Sequence, residues 1–202
     1  MKKYIVYIVV IVVIFSCKRE SMKPAEYLSW IKTSEAQLSY RKTVNDIVFE
    51  ALYKPSEYLA LKEYSSERTD TNFQDKKFRE YLAEKKKSIF FTYRIRPEEN
   101  GIDILHYRAA SENVFFQRAD YYSFKAQNDF YLLQGKDTFP CTIYHFEQNY
   151  GLAPYINLLI GFESHGKTDD MKLVFYDQVY QKGKIIFDIP KEALLNIPEL
   201  KL

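Results

Sequence analysis

The chain has 202 residues, of which 47% are apolar and 28% are charged, with seven Pro and six Gly. This composition excludes disordered and collagen-like chains, and the length allows one domain with a sizeable core that needs no disulfides. Lys2 and Lys3 supply the whole formal charge of +2, because 27 basic and 27 acidic residues remain without them. A balanced charge argues against nucleic-acid binding, which needs surplus Lys and Arg.

The first segment has the outline of a signal peptide. Lys2 and Lys3 precede the uncharged run Tyr4–Phe15, which the small residue Ser16 and then Cys17 follow. The run has 12 residues, about 18 Å as a helix, whereas a membrane span needs about 20 residues. An uncleaved N-terminal anchor and a buried core helix are the alternatives, and the β-branched composition of the run disfavours the core helix.

Residues 14–17, Ile-Phe-Ser-Cys, resemble the lipobox of bacterial lipoproteins in the looser form found in Bacteroidota. The resemblance implies that Cys17 is acylated after cleavage, and two or three acyl chains such as palmitate hold a protein permanently on a membrane. Lys18 stands where many inner-membrane lipoproteins carry Asp, which implies the outer membrane. No acidic run linked to surface export follows Cys17, so the periplasmic face is slightly favoured over the cell surface. The rest of the chain is similar in style to uncharacterised Bacteroidota lipoproteins, which implies no activity.

We therefore expect a lipoprotein signal peptide over residues 1–16, the lipidated Cys17 with a tether through residue 23, and a single α+β domain over residues 24–202. Cys141 is then the only thiol of the mature domain, which excludes an intramolecular disulfide. We interpret Cys141 as a small buried strand residue, since a catalytic Cys needs a nearby His. His145 would lie about 13 Å away along the same strand.

Helices are predicted mainly in the first half of the chain. Pro24 starts a short amphipathic helix that ends at Ile31, and Pro55 precedes a second helix over Ser56–Tyr64. Between them, Thr43–Tyr53 alternates as a half-buried strand. The pattern of Thr71–Gln74 fits a capping box that opens a third helix, which continues to about Lys86.

After Lys87 the apolar pattern changes to period two. We predict strands over Ile89–Arg96, Ile102–Tyr107, Val114–Phe124, Phe130–Gln134, Thr138–Glu147, Tyr155–Glu163, Met171–Asp177 and Lys184–Ile189. The turn Gly135–Asp137 joins two of them in a hairpin, and Lys191–Asn196 forms a last helical turn. The class is α+β: mostly an antiparallel β-sandwich or curved sheet, with short helices in the N-terminal half and one C-terminal helical turn.

The sequence contains no common catalytic or nucleotide-binding string, so we predict no catalytic residue, metal or cofactor. His145 and Glu147 share one face of a strand and could offer two zinc ligands, but we interpret them as solvent-facing residues. Lys85, Lys86 and Lys87 end a helix, where positive charge complements the helix dipole. Contact with anionic lipid is the alternative for these lysines.

The aromatic content is the strongest compositional signal after the lipobox, with 18 Tyr and 15 Phe in 202 residues. Some Tyr side chains near predicted strand ends should be exposed and contact a protein or a glycan. These candidates are Tyr121, Tyr122, Tyr150, Tyr155, Tyr176 and Tyr180. Our first hypothesis is a non-enzymatic outer-membrane lipoprotein that binds an envelope protein partner. The alternative is a glycan-binding lipoprotein of a polysaccharide-uptake system, and an enzyme comes third. A convex apolar patch would favour the protein partner, and a groove of aromatic and polar residues would favour the glycan.

Overall fold

The computed structural model describes residues 20–67, 73, 76–99, 101–147 and 153–202. The expected signal peptide, Cys17 and Tyr150 lie outside these residues, as does most of the predicted capping box at 71–74. Within the described ranges, no helix combines the length and the apolar character that crossing a membrane requires.

The elements follow one another in two groups along the chain. The first group is β1 (Ser21–Met22), α1 (Pro24–Trp30), β2 (Ser39–Val44), β3 (Ile47–Lys54), α2 (Ser56–Glu67), α3 (Lys76–Lys85) and β4 (Ser88–Pro97). The second group is α4 (Glu112–Phe124), β5 (Phe130–Gln134), β6 (Asp137–Glu147), β7 (Ile156–Glu163), β8 (Met171–Asp177), β9 (Gly183–Ile189), α5 (Lys191–Leu195) and β10 (Glu199–Leu200). Two short 3-10 helices lie at Ser34–Ala36 and Ala126–Asp129.

Eight strands form one antiparallel sheet in the order β2-β3-β4-β7-β6-β5-β8-β9. The sheet is curved almost into a barrel, and its edge strands β2 and β9 approach each other, with Lys42 Nζ donating to the carbonyl of Ile186 at 3.4 Å. The α+β class with a dominant antiparallel curved sheet is therefore confirmed. The strands predicted over β4, over the β5–β6 hairpin and over β7, β8 and β9 are confirmed as well.

The alternating strand pattern has a direct cause in the core. Ile89, Phe91, Tyr93 and Ile95 occupy alternate positions of β4 and all point into the barrel, where they are buried. Tyr93 packs edge-to-face on Phe130 of β5, with ring centroids 4.9 Å apart, and aromatic pairs of this kind add to the area they bury. Much of the high aromatic content therefore fills this core.

The two ends of the barrel are closed differently. The terminal end is covered by α1, α2, α3 and α5 together with the parallel pair β1–β10, and it has a second apolar cluster of its own. The opposite end, here called the α4 end, is closed by α4, the segment 101–111 and the β2–β3 and β8–β9 turns. Contacts of Asp46 with Tyr107 and Lys182 join the two turns to that segment.

Three sequence predictions are wrong around the α4 end. Val114–Phe124 belongs to the helix α4 and not to a strand; its aromatic side chains occupy both sides of the helix, which obscures the helical period in the sequence. Ile102–Tyr107 forms successive turns, which Asp103 stabilises by accepting the backbone N–H of Leu105 at 3.0 Å. The predicted strand Thr43–Tyr53 is two strands, since the chain reverses at Asn45, whose φ of 56° is typical of a turn.

Candidate interaction surface

The inner side of α4 is an integral part of the barrel core. Tyr122 is fully buried, and the hydroxyl of Tyr144 on β6 donates to its backbone carbonyl. One helical turn earlier, Arg118 points toward the segment 101–111 that lies beside α4. The helix is therefore fixed to the sheet through its inner side.

The outer side of α4 carries two exposed phenylalanines. Phe116 is 63% exposed and Phe124 is 77% exposed, the two largest values among the exposed large apolar side chains of the described residues. Their spacing of eight residues places both on one side of the helix, about 12 Å apart along its axis. Asp120 lies between them and forms an ion pair with Lys125. The result is a convex apolar surface with a polar centre, here called the Phe116–Phe124 surface.

Hydrogen bonds fix the segment 101–111 beside α4. Arg118 donates through one guanidinium nitrogen to the carbonyls of Leu105 at 2.9 Å and Tyr107 at 2.7 Å. From the β8–β9 turn, the Tyr180 hydroxyl donates to the carbonyl of Ile104 at 2.7 Å. These bonds satisfy carbonyls that regular secondary structure does not pair.

Asp46 is the centre of a charged cluster at the same end. Its carboxylate accepts the Tyr107 hydroxyl at 3.0 Å and pairs with Lys182 at 2.7 Å and Arg108 at 2.8 Å. The hydrogen bond from Lys182, together with that from Tyr107, lowers the pKa of Asp46 to about 2. The carboxylate is therefore charged at neutral pH and ties the two turns to the segment 101–111.

Asp177 stabilises the β8–β9 turn from within. Its buried carboxylate accepts the backbone N–H groups of Lys182 at 2.9 Å and Tyr180 at 3.1 Å. Burial raises the pKa of Asp177, while these N–H groups act in the opposite direction. Its part in the α4 end is to shape the turn that presents Tyr180 and Lys182.

Of the predicted contact residues, those at the α4 end are buried or form hydrogen bonds within the fold. Tyr122 is fully buried, so the expectation that it is exposed is wrong, and neither Tyr121 nor Tyr122 lies at a strand end. The half-buried Tyr121 donates its hydroxyl to Asp129 at 2.7 Å. Tyr180 is also partly buried and holds the segment 101–111, as described above.

The other two described candidates lie on the outside of the sheet. Tyr155 is partly buried at the start of β7, where the Arg94 guanidinium lies 4.1 Å from its ring centroid. Tyr176 on β8 is 39% exposed. The structure therefore does not bring the predicted tyrosines together in one site.

The interpretation of Cys141 as a buried strand residue is confirmed, since it is 7% exposed on β6. Burial raises the pKa of its thiol to about 11, which leaves little thiolate at neutral pH. His145 and Glu147 are exposed on the same strand, where Glu147 accepts the amide of Asn157 at 3.0 Å. Across the described ranges, no group of three or more His, Cys, Asp or Glu side chains could hold a metal ion.

The three consecutive lysines at the end of α3 are all engaged in ion pairs. Lys85 pairs with Glu63 at 2.5 Å, Lys86 with Glu57 at 3.2 Å, and Lys87 with Glu84 at 2.6 Å. Two of these pairs join α3 to α2, so the charges stabilise the packing of the terminal end. This arrangement favours the structural interpretation of the lysines over contact with anionic lipid.

Sequence reasoning missed Phe116 and Phe124 because it assigned them to a strand. The available signal was Ser111, a residue typical of helix N-caps, directly before Glu112. From that start, Phe115, Ala119 and Tyr122 recur at helical spacing and face the core. Phe116 and Phe124 are left on the opposite side.

Comparisons of this chain with protein-family models, with curated proteins and with solved structures find no match.

Proposed function

We propose that this protein is a lipid-anchored envelope lipoprotein that binds a protein partner through the Phe116–Phe124 surface and performs no catalysis. The observation that carries the proposal is the exposure of two phenylalanines on a helix whose other side is fixed in the core. Exposed aromatic rings on a rigid element are suited to become anchors of an interface, because little conformational entropy is lost when they are covered.

The shape of the surface favours a protein over a glycan as its partner. Phe116 and Phe124 have no hydroxyl or amide of their own, and they protrude from a convex helix. A sugar is bound by rings that lie beside several hydrogen-bonding groups, whereas a hydrophobic pocket on another protein accommodates a protruding phenyl ring. Asp120, between the two rings, would add a polar contact and orientation.

The expected anchor at Cys17 would leave the Phe116–Phe124 surface accessible to a partner. Lys18 and Arg19 alone separate Cys17 from Glu20, whose carbonyl accepts the N–H of Glu199 at 2.8 Å. Three residues span at most about 11 Å, so acyl chains on Cys17 would hold the terminal end close to the membrane. The 10 residues of β4 extend up to about 33 Å from that end toward α4. The Phe116–Phe124 surface would then face away from the bilayer, and we place it in the periplasm beneath the outer membrane.

Site-specific crosslinking in intact cells tests the proposal. A photo-crosslinking amino acid at position 117, beside Phe116, should capture a discrete partner, whereas the same amino acid at position 80 on α3 should not. The capture should be lost when Phe116→Ser and Phe124→Ser are combined, with unchanged folding. Equal capture from both positions, or capture that survives the double substitution, would contradict the assigned surface.

The anchor needs its own test. Palmitate labelling should mark the wild-type chain and leave the Cys17→Ser variant unmarked and released from the outer membrane. An unlabelled wild-type chain would remove the location from the proposal but not the binding surface.

A glycan-binding lipoprotein is the second candidate function. The observation that favours it lies away from α4, in a groove on the outside of the sheet that contains the predicted contact residue Tyr176.

A further inference from the structure

The outer side of the sheet carries a groove with mixed apolar and polar lining across β5, β6, β8 and β9. Its volume is about 440 Å³, and its floor is made by Tyr131 and Tyr176, which lie beside the buried Val174. In a barrel of this kind, outward-facing strand residues alternate with the core and are expected to be polar. Val174 faces outward and is nevertheless only 2% exposed, because the neighbouring side chains cover it.

Two tyrosine rings form the aromatic part of this floor. Tyr131 and Tyr176 pack edge-to-face, with centroids 6.1 Å apart. Tyr131 is partly buried, whereas Tyr176 is 39% exposed and has ring surface left to contact a ligand. Aromatic rings in this position bind the C–H faces of sugar rings, which are the apolar part of a carbohydrate.

Polar groups of both charges surround the floor. Lys184 Nζ lies 5.5 Å from the centroid of the Tyr176 ring, and Thr138 lines the far end of the groove, where it pairs with Leu133. Asp129 is held in place because its carboxylate oxygens accept the Tyr121 hydroxyl at 2.7 Å and the Gln178 amide at 3.1 Å. The rim therefore offers an ammonium donor, a carboxylate acceptor and a hydroxyl that can do both.

The charge balance of the rim selects the class of ligand. One positive and one negative group give no net charge, so a strongly acidic or basic ligand would meet as much repulsion as attraction. A neutral ligand with hydroxyl groups can use both, and its apolar face can lie on the tyrosines. A volume of about 440 Å³ lies within the range of small-ligand sites.

We infer that the groove between Tyr131 and Tyr176 binds a neutral sugar ring of a glycan. One ring lies against Tyr176, and its hydroxyl groups bond to Asp129 and Lys184 at the same end of the groove. This site is separate from the Phe116–Phe124 surface and requires neither the anchor nor the protein partner.

Affinity electrophoresis of the full chain in detergent tests the inference. The gels contain one of four neutral polysaccharides, namely dextran, laminarin, galactomannan or mannan, or the acidic polysaccharide alginate. At least one neutral polysaccharide should retard the wild type. No retardation by any neutral polysaccharide, or retardation by alginate alone, would overturn the inference.

Variants locate the binding and separate it from a change in folding. Tyr176→Ala should weaken binding at least tenfold, Tyr176→Phe should retain most of it because the ring remains, and Asp129→Asn should weaken it. Tyr155→Ala is the matched control, since Tyr155 is another tyrosine on the outside of the sheet but stacks on Arg94 away from the groove. A loss in Tyr155→Ala equal to that in Tyr176→Ala would overturn the assignment, as would full binding by Tyr176→Ala. The combined Phe116→Ser and Phe124→Ser chain should bind the polysaccharide normally, which distinguishes this result from failure of the partner proposal.

Discussion

The two ends of the barrel are both closed by helices, yet they treat their aromatic side chains in opposite ways. At the terminal end, Tyr27, Tyr64 and Phe78 are at most 1% exposed inside a separate apolar cluster. At the α4 end, a single helix buries Tyr122 but leaves Phe116 and Phe124 in solvent.

The difference lies in the number of helices that cover each end. The helices α1, α2 and α3 bury their apolar sides against one another as well as against the sheet, so the terminal end completes its own core. Within the described ranges no second helix lies outside α4, so Phe116 and Phe124 remain exposed and available to another molecule. The largest apolar exposure among the described residues lies at the α4 end, which favours this end as the place where a partner binds.

The largest expected contrast comes from removing one phenyl ring at each end. Phe78→Ala should lower the free energy of unfolding by about 3–5 kcal/mol, because the ring is buried and packs on Tyr64 and Phe73. Phe124→Ala should change it by less than about 0.5 kcal/mol, since the ring is mostly in solvent. Urea denaturation followed by circular dichroism measures both. A loss near 3 kcal/mol in Phe124→Ala would mean that this ring belongs to the core and not to a binding surface.

Removing one carboxylate at each end should also reduce stability by different amounts. The carboxylates of Asp46 and Glu57 have similar exposure, 23% and 26%, but Asp46 has three partners whereas Glu57 pairs with Lys86. Asp46→Ala should lower the free energy of unfolding by about 2–4 kcal/mol, because it leaves the largely buried Lys182 without its counter-ion. Glu57→Ala should cost less than about 1 kcal/mol. Equal losses in the two denaturation curves would contradict the central role of the Asp46 cluster.

The charge of Asp46 makes this contribution depend on pH. Its folded-state pKa, about 2, lies below the ordinary value of 3.8, so the stabilisation is complete above about pH 4 and is lost as the pH falls through 2. We expect the free energy of unfolding of the wild type to exceed that of Asp46→Asn by about 2 kcal/mol at pH 7 and by roughly half of that or less at pH 2. Asp177 remains in both chains, so its titration cancels in the difference. A gap that stays constant from pH 7 to pH 2 would show that the carboxylate charge is unimportant.

The sequence predicts the sheet better than the α4 end for a physical reason. Each strand from β4 to β9 has a buried inner side, and burial imposes the alternation that the sequence displays. In α4 the outer side is apolar as well, so the helical period is obscured and aromatic residues such as Phe115, Tyr121 and Tyr122 favour a strand assignment. The segment 102–107 is held by Asp103, Arg118 and Tyr180, and two of these contacts come from distant parts of the chain.

The candidate surfaces were harder to predict than the fold. The high tyrosine content correctly indicated aromatic side chains outside the core, and Tyr176 is one of them. Phe116 and Phe124 could not be found without the helix, and Tyr131 becomes part of the groove only because β5 pairs with β8. Both surfaces depend on which elements lie next to each other, and local patterns do not contain that information.

The smallest expected contrast concerns two tyrosine hydroxyls at the α4 end. Tyr180 donates to the carbonyl of Ile104, which keeps a second bond from the N–H of Tyr107 at 3.2 Å, so Tyr180→Phe should cost about 1 kcal/mol. The buried hydroxyl of Tyr122 has no hydrogen-bond partner within the described part of the chain. Removing it in Tyr122→Phe relieves an uncompensated desolvation, so stability should stay equal or rise by up to about 1 kcal/mol. Thermal unfolding of the two variants beside wild type measures the order of their stabilities. If Tyr122→Phe proved the less stable of the two, its hydroxyl would have to be bonded in solution, and α4 would be held to the core by more than the contacts described above.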